Sequence, residues 1–136
     1  MKDSERQLLI ELRRALLPLH KALLEWERMA YERTHGRVAK GELLRVIVSD
    51  PQFAWLRPVS ELIVRIDQTL DEEAPDIVAD VDAIVAHARR LVAPDETGRP
   101  FEERYLAALQ EVPEAVIAHG AVASVLREIP VRGTRH

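Results

Sequence analysis

The fold is decided by residues 4–34, whose sequence is SERQLLIELRRALLPLHKALLEWERMAYERT. Apolar residues recur along this stretch at alternating steps of three and four, which is the spacing of one face of an α-helix. They are Leu9, Leu12, Leu16, Leu19, Leu23, Trp26 and Ala30. Ser4, followed by a glutamine three residues later, has the spacing of a capping box and predicts the start of the helix. The stretch therefore predicts a bundle helix about 46 Å long that kinks near Arg14 to Pro18 and ends at Gly36.

The rest of the chain alternates helical segments with helix-breaking residues. We predict a short helix over 42–48, a separate turn over 51–56, and helices over 59–73, 75–92, 100–112 and 114–127. Asp50 before Pro51 favours a start, because aspartate caps free backbone N–H groups and proline is tolerated in a first turn. Pro58 disfavours a helical Arg57. Gly120, inside the last helix, predicts close approach by a neighbouring helix.

These segments predict an all-α fold, a single helical bundle of five to six helices with a long, Pro-kinked first helix. We expect the first helix to pack against the third and fourth, with the last two helices closing one side. Residues 46–48 would suit a strand, but no second strand is available to pair with them. A length of 136 residues predicts one domain, with a core over about 4–128 and a flexible tail over 129–136.

Composition excludes several function classes. The absence of cysteine excludes disulfides, thiolate metal sites and a cysteine nucleophile. A formal net charge of -4 argues against nonspecific nucleic-acid binding, so we expect no nucleic-acid partner. The first residues do not resemble a secretory signal, and the longest uncharged run, Ala115 to Leu126, is too short to cross a membrane. We therefore expect a cytoplasmic protein that has no membrane partner.

One polar face of the first helix could carry chemistry. His20, Glu27 and Tyr31 share this face at helical spacing, and imidazole, carboxylate and phenol groups can bind a small ligand or a metal. A metal site would combine His20 and Glu27 with His87 or His119 from other helices. The alternative is that His20 and Tyr31 are boundary residues with wet tips, and that Glu27 pairs with an arginine of a neighbouring helix.

Three further features have both a functional and a structural interpretation. Glu32 and His35 form one of the two Glu-x-x-His pairs of a di-iron bundle, but the second pair is missing. The acidic stretch from Asp67 to Asp82 could attract a cation or a basic partner, although no glycine turn organises it, and a solvated surface is favoured. Phe53 and Trp55 lie between two helices, and they either anchor an interface or plug the end of the bundle. We favour the plug.

Part of the chain resembles a known group of sequences. The similarity lies in the run Leu19-His-Lys-Ala-Leu-Leu with Glu27 and Tyr31, in Gly41-Glu-Leu-Leu-Arg, and in the stretch from Asp50 to Asp67. Over roughly residues 8–70 the chain is similar to uncharacterised bacterial helical proteins, a domain of unknown function. The resemblance implies a bacterial origin and carries no activity, cofactor or partner.

We predict a small bundle that acts by protein association, with a homodimer favoured over another protein as the partner, because the apolar stripe of the first helix is broad and the other helices are short. The alternative is a ligand- or metal-binding bundle that uses His20, Glu27 and Tyr31. We predict no cofactor and no catalytic residue. An enzyme is the interpretation favoured least, because no nucleophile lies beside a base at recognisable spacing.

Overall fold

The computed structural model describes residues 3–71, 81–93 and 99–129. It confirms the all-α bundle, whose six α-helices we number α1 to α6. They are α1 (Asp3–His35), α2 (Lys40–Ser49), α3 (Arg57–Leu70), α4 (Val81–Leu91), α5 (Pro100–Glu111) and α6 (Pro113–Arg127), and a 3-10 helix (Pro51–Leu56) joins α2 to α3. No strand occurs in the three described ranges.

Helix α1 is the longest helix of the bundle. It contains Pro18 and continues through it, so the kink stays a prediction, and it already includes Asp3, so Ser4 is not its N-cap. Gly36 ends it with a φ of 84°, a conformation that glycine adopts at little cost. At 1.5 Å per residue, its 33 residues span about 50 Å.

The core is built around the leucine stripe of α1. Leu9, Leu12, Leu16, Leu19 and Leu23 are all at most 1% exposed. Helix α1 packs most extensively against α6 and next against α3, whereas α4 lies against α3 and α6. Among the described residues α4 is not one of the main neighbours of α1, which differs from the expected packing, and α6 is the most extensive neighbour instead.

The connection between α2 and α3 follows local sequence signals with one exception. Asp50 caps the 3-10 helix through its Oδ1, which accepts a hydrogen bond of 2.9 Å from the backbone N–H of Gln52. Arg57, however, is helical, with φ −55° and ψ −41°. Leu56 and Val59 on either side are both buried, so packing outweighs the restriction that Pro58 places on the residue before it.

Gly120 also differs from its prediction. A Cβ atom built on it would have no neighbour within 4 Å, and the residue lies on the exposed face of α6. In the described part of the chain, no neighbouring helix makes the close approach expected at Gly120.

Three predictions fall partly outside the described residues. The acidic stretch is described only at Asp67, Asp71 and Asp82, the predicted start of the fourth helix lies before residue 81, and the tail lies beyond 129. Within the described part, no helix has the length and apolarity needed to cross a membrane.

Candidate interaction groove and the Glu27 hub

Glu27 holds a core position in α1. It follows Leu23 by one helical turn, in register with the leucine stripe, and it is 1% exposed. Its Oε1 accepts hydrogen bonds from Trp55 Nε1 at 2.6 Å and from Arg104 Nη2 at 2.8 Å. Its Oε2 accepts one from Gln52 Nε2 at 2.7 Å. We call this cluster of Glu27, Gln52, Trp55 and Arg104 the Glu27 hub, and it ties α1 to the 3-10 helix and to α5.

The rings of Trp26 and Trp55 lie against the Arg104 side chain of the hub. The Arg104 guanidinium lies 4.5 Å from the centroid of the Trp26 ring and 5.8 Å from that of Trp55, so cation–π attraction adds to its ion pair with Glu27. The two indoles meet edge to face at 6.2 Å, and Trp26 Nε1 donates to Glu111 Oε1 at 3.3 Å. Of the two predictions for Glu27, the structure confirms pairing with an arginine of another helix.

Phe53 and Trp55 are 1% and 8% exposed, so they point inward as the plug interpretation expects. Phe53 packs on Tyr31, and Trp55 packs on Phe101. The proposed role as interface anchors requires exposed side chains and does not fit this conformation, because both rings are buried against α1 and α5.

The histidines do not converge on a metal site. Among residues 3–71, 81–93 and 99–129, no three His, Asp or Glu side chains are grouped so that they could hold a metal ion. His20, Glu27 and His87 all lie in these ranges and therefore do not form the predicted metal site. Burial lowers the pKa of His20, and it also lowers that of His87, where Arg90 and Arg65 add to the effect. Both side chains therefore favour the neutral imidazole.

His119 belongs to a different pair. Its Nδ1 lies 2.6 Å from the hydroxyl oxygen of Tyr105, and the neutral ring can accept a hydrogen bond from the phenol O–H there. Burial lowers the pKa of His119 and raises that of Tyr105, so both groups stay neutral at pH 7. Phe101 stacks on Tyr105 at 5.3 Å. The pair joins α5 to α6 and satisfies a buried phenol.

The remaining polar residues at the end of α1 have structural contacts. Glu32 Oε2 accepts a hydrogen bond of 3.0 Å from the backbone N–H of Val38, which fixes the turn after α1. The ring of His35 stacks on Tyr31 at 4.0 Å. Glu32 and His35 are therefore held by their own neighbours, and Tyr31 packs between His35 and Phe53.

An open apolar groove of about 890 Å³ lies between α1 and α6. Its apolar lining comes from Ala15, Pro18, Ala22, Trp26 and Met29 of α1, and from Val112, Ile117, Ala118, Ala121 and Val125 in and before α6. Charged residues also line it, namely Glu11, Arg14, Lys21, Glu25 and Glu114. We call this surface the α1–α6 groove. Met29 is 54% exposed and Ile117 is 73% exposed, so a large part of its apolar surface faces solvent.

The α1 side of the groove has a heptad-like spacing. Its seam runs through residues 11, 15, 18, 22, 25 and 29, at alternating steps of four and three. That is the spacing with which a helix presents one narrow face to another helix. The leucine stripe that forms the core is a separate face, so α1 carries two seams. In the second seam, residues 11, 18, 25 and 29 are exposed, whereas Ala15 is buried and Ala22 is half-buried.

Helix α6 is unusual on its outer face. Its exposed residues between Glu114 and Arg127 are Val116, Ile117, Gly120, Ala121 and Ser124, and none of them is charged. A surface helix normally carries charged residues opposite its buried side. Here the buried side is Ala115, Ala118, Val122 and Leu126, and the opposite side is also largely apolar.

Two parts of this arrangement were not predicted from the sequence. The arginine that pairs with Glu27 could not be identified, because Arg104 is 77 positions away and no local pattern links the two. The groove was not predicted either, although the seam from Glu11 to Met29 and the uncharged run of α6 are both visible as patterns.

Comparisons with protein-family models, with curated proteins and with solved structures give no match to this chain. The resemblance of residues 8–70 to bacterial helical proteins stays a prediction.

Proposed function

We propose that this protein functions by self-association, as a homodimer that buries the α1–α6 groove of each copy. The observation that carries the proposal is the open apolar groove itself, with Met29 and Ile117 more than half exposed at its edges. Exposed apolar surface of this kind marks interaction sites in soluble proteins. The proposal keeps the expectation of a bacterial, cytoplasmic protein.

The size of the groove supports a second copy as its occupant. Residues 11–29 of α1 extend over about 27 Å, and two adjacent helices are about 20 Å wide. The face thus projects about 540 Å² per copy, or about 1,100 Å² for the pair, which exceeds the roughly 1,000 Å² expected of a specific interface. The groove is also two helices wide, so that a pair of copies would form a four-helix bundle.

The charges around the groove support self-association as well. Arg14 and Lys21 are basic, whereas Glu11, Glu25 and Glu114 are acidic, so both signs are present on one face. A two-fold interface must be complementary to itself, and a face of mixed sign satisfies this requirement. A strongly charged partner of either sign would meet like charges somewhere on this rim.

The test is the molar mass of the protein in solution at micromolar concentration, measured by light scattering coupled to size-exclusion chromatography. We expect a dimer for the wild type and a monomer for Ile117→Asp, because the aspartate would be desolvated in the interface. Val64→Asp is the matched control, since Val64 is 52% exposed on α3 and does not line the groove. A monomeric wild type, or an Ile117→Asp variant that dimerises as tightly as the control, contradicts the proposal.

A second candidate function is binding of an apolar small molecule in the same groove. Its volume of about 890 Å³ falls within the usual range of ligand pockets, roughly 300 to 1,000 Å³. Native mass spectrometry of the wild type distinguishes the two functions. A bare dimer supports self-association, whereas a monomer with a retained mass that is lost in Ile117→Asp supports ligand binding. The ligand would contact the groove rather than Glu27, whose carboxylate oxygens already accept three hydrogen bonds.

A further inference from the structure

We propose that the outer face of α2 binds the surface of an anionic lipid membrane. Leu44 and Val48 enter the headgroup region, and the basic residues beside them bind the acidic lipid phosphates. This face is separate from the α1–α6 groove, because no residue of α2 lines that groove. The inference is therefore independent of self-association.

Helix α2 contributes little to the core. None of its ten residues is buried, and among the described residues its main packing is against the 3-10 helix. Val46 and Ile47 are half-buried and pack against the edge of the core. On the other side of the helix, Leu44 and Val48 are each 67% exposed and lie one helical turn apart. We call Leu44 and Val48 the apolar pair of α2.

Basic residues flank the apolar pair. Successive residues of a helix turn by about 100°, which places Lys40 on one side of the pair and Arg45 on the other. The acidic residue of α2, Glu42, lies about 140° round the helix from the centre of the pair. Apolar side chains with lysine or arginine on both sides are typical of helices that lie in a membrane interface.

The segment around α2 differs in charge from the rest of the chain. Residues 33–45 contain four basic residues and one acidic residue, a net charge of +3, whereas the whole chain carries -4 and its other residues therefore carry -7. The basic residues are Arg33, Arg37, Lys40 and Arg45, and all four are exposed. In the described part of the chain, none of these four side chains forms an ion pair. Their field is thus available to attract an anionic surface.

A lipid surface fits this face better than a protein partner does. The α1–α6 groove and two smaller clefts all lie away from α2, so none of them could receive a side chain of a protein bound there. Helix α2 has no aromatic residue, and aromatic residues are the usual anchors of protein interfaces. A planar bilayer requires neither feature. We predicted no membrane partner because no run is long enough to cross a membrane, and a helix that lies in the interface does not need that length.

Sedimentation with lipid vesicles tests the inference. The wild type should bind vesicles made of equal parts of phosphatidylglycerol and phosphatidylcholine more tightly than vesicles of phosphatidylcholine alone. Added salt should release it, because salt screens the basic residues. Arg45→Gln should weaken binding about fivefold, which is the contribution of one basic residue near an anionic surface. Leu44→Gln should weaken it about tenfold or more, because the aliphatic contact is lost.

The matched controls are Arg65→Gln and Val64→Gln. Both residues are exposed on α3, outside α2 and outside the α1–α6 groove, so these variants should bind the vesicles as the wild type does. All four substitutions replace exposed residues, and urea unfolding followed by circular dichroism checks that each variant is folded.

A fluorescent label tests insertion directly, and the absence of native cysteine allows one label per chain. An environment-sensitive fluorophore on Leu44→Cys should shift its emission to shorter wavelength on vesicles that contain phosphatidylglycerol, because it enters the headgroup region. The same fluorophore on Val64→Cys should keep the emission it has in water. Equal emission shifts at the two positions would mean that α2 is not the face that meets the lipid, and would contradict the inference.

Three other results would overturn the inference. The first is a wild type that does not sediment with the phosphatidylglycerol vesicles at low salt. The second is binding by Leu44→Gln and Arg45→Gln that is as tight as that of the controls. The third is binding to poly-glutamate that is as tight as binding to the vesicles and unaffected by Leu44→Gln, which would assign the basic residues to an acidic protein. If the wild type is monomeric in light scattering but binds the vesicles as described, the proposed function fails and this inference stands.

Discussion

Replacing Glu27 with methionine should be among the most destabilising single substitutions in this chain. Methionine is about as long as glutamate but apolar, so its side chain fills the site and accepts none of the three hydrogen bonds that Glu27 accepts. Trp55 is 8% exposed, and its indole N–H would lose its acceptor in a site where water does not reach it. Arg104 is more exposed and can turn to solvent. Leaving the buried Trp55 N–H without an acceptor costs about 1 to 3 kcal/mol, and loss of the pair with the partly exposed Arg104 adds up to about 1 kcal/mol, so we expect a loss of about 2 to 4 kcal/mol.

Two further substitutions provide a comparison for the stability loss expected in Glu27→Met. Glu27→Gln should cost less, about 1 to 2 kcal/mol, because the new amide keeps one acceptor oxygen and Gln52 can turn its own carbonyl towards the new NH2 group. Glu42→Met is the control, since Glu42 is exposed on α2 and does not line the α1–α6 groove. Surface substitutions away from such contacts change stability by about 0.5 kcal/mol or less, so the control should be nearly neutral.

The measurement is urea unfolding followed by far-UV circular dichroism at one fixed protein concentration. Adding Trp55→Phe to Glu27→Met removes the orphaned N–H, so the double variant should be more stable than the sum of the single losses by about 1 to 3 kcal/mol. If Glu27→Met costs less than about 1 kcal/mol, or if the two substitutions are additive, Glu27 does not hold α1 to the rest of the bundle as argued here.

Three other outcomes can be checked in the same way. Gly120→Ala should raise the free energy of unfolding by about 0.5 to 1 kcal/mol, since alanine favours a helix and meets no atom within 4 Å; a loss on thermal or urea unfolding would mean that another surface covers Gly120. The free energy of unfolding should fall as the pH drops below 6.5 towards the lowered pKa values of His20, His87 and His119, because the histidines of the unfolded chain are protonated first. A variant with glutamine at all three positions should lose most of this pH dependence when urea unfolding is measured at several pH values. Asp50→Ala should cost about 1 kcal/mol through the lost cap, whereas Asp50→Asn should cost much less.

Local patterns were sufficient to predict most of the helices. The step of three and four along α1 marks the buried leucines because a helix repeats every 3.6 residues, and the structure buries those leucines. Gly36 and Asp50 ended and began elements as expected, since a positive φ and a capping carboxylate are properties of single residues. Where several neighbours act on one residue, as at Arg57, the local rule failed because buried side chains on both sides favoured the helix.

The partners in the Glu27 hub could not be identified from the sequence for a physical reason. Pairing of Glu27 with an arginine of a neighbouring helix was one of the two interpretations that the sequence left open. The chain has sixteen arginines, however, and only the packing of α5 against the end of α1 selects Arg104. The rings of Trp26 and Trp55 lie beside the Arg104 guanidinium and also favour this arginine. They come from α1 and from the 3-10 helix, so no local pattern brings them together.

Helix α6 connects the error at Gly120 with the proposed interface. A helix that is apolar all round predicts burial on every side. The expectation of tight packing at Gly120 came from the glycine itself, since glycine inside a helix costs about 1 kcal/mol relative to alanine and usually marks close approach by a neighbouring helix. Within the described residues the chain covers only one side of α6, and leaves Val116, Ile117 and Gly120 exposed. The sequence pattern and the structure agree if a second surface covers the outer side of α6. The α1–α6 groove lies beside Ile117, so the second copy that we propose as its occupant would also cover part of the outer side of α6.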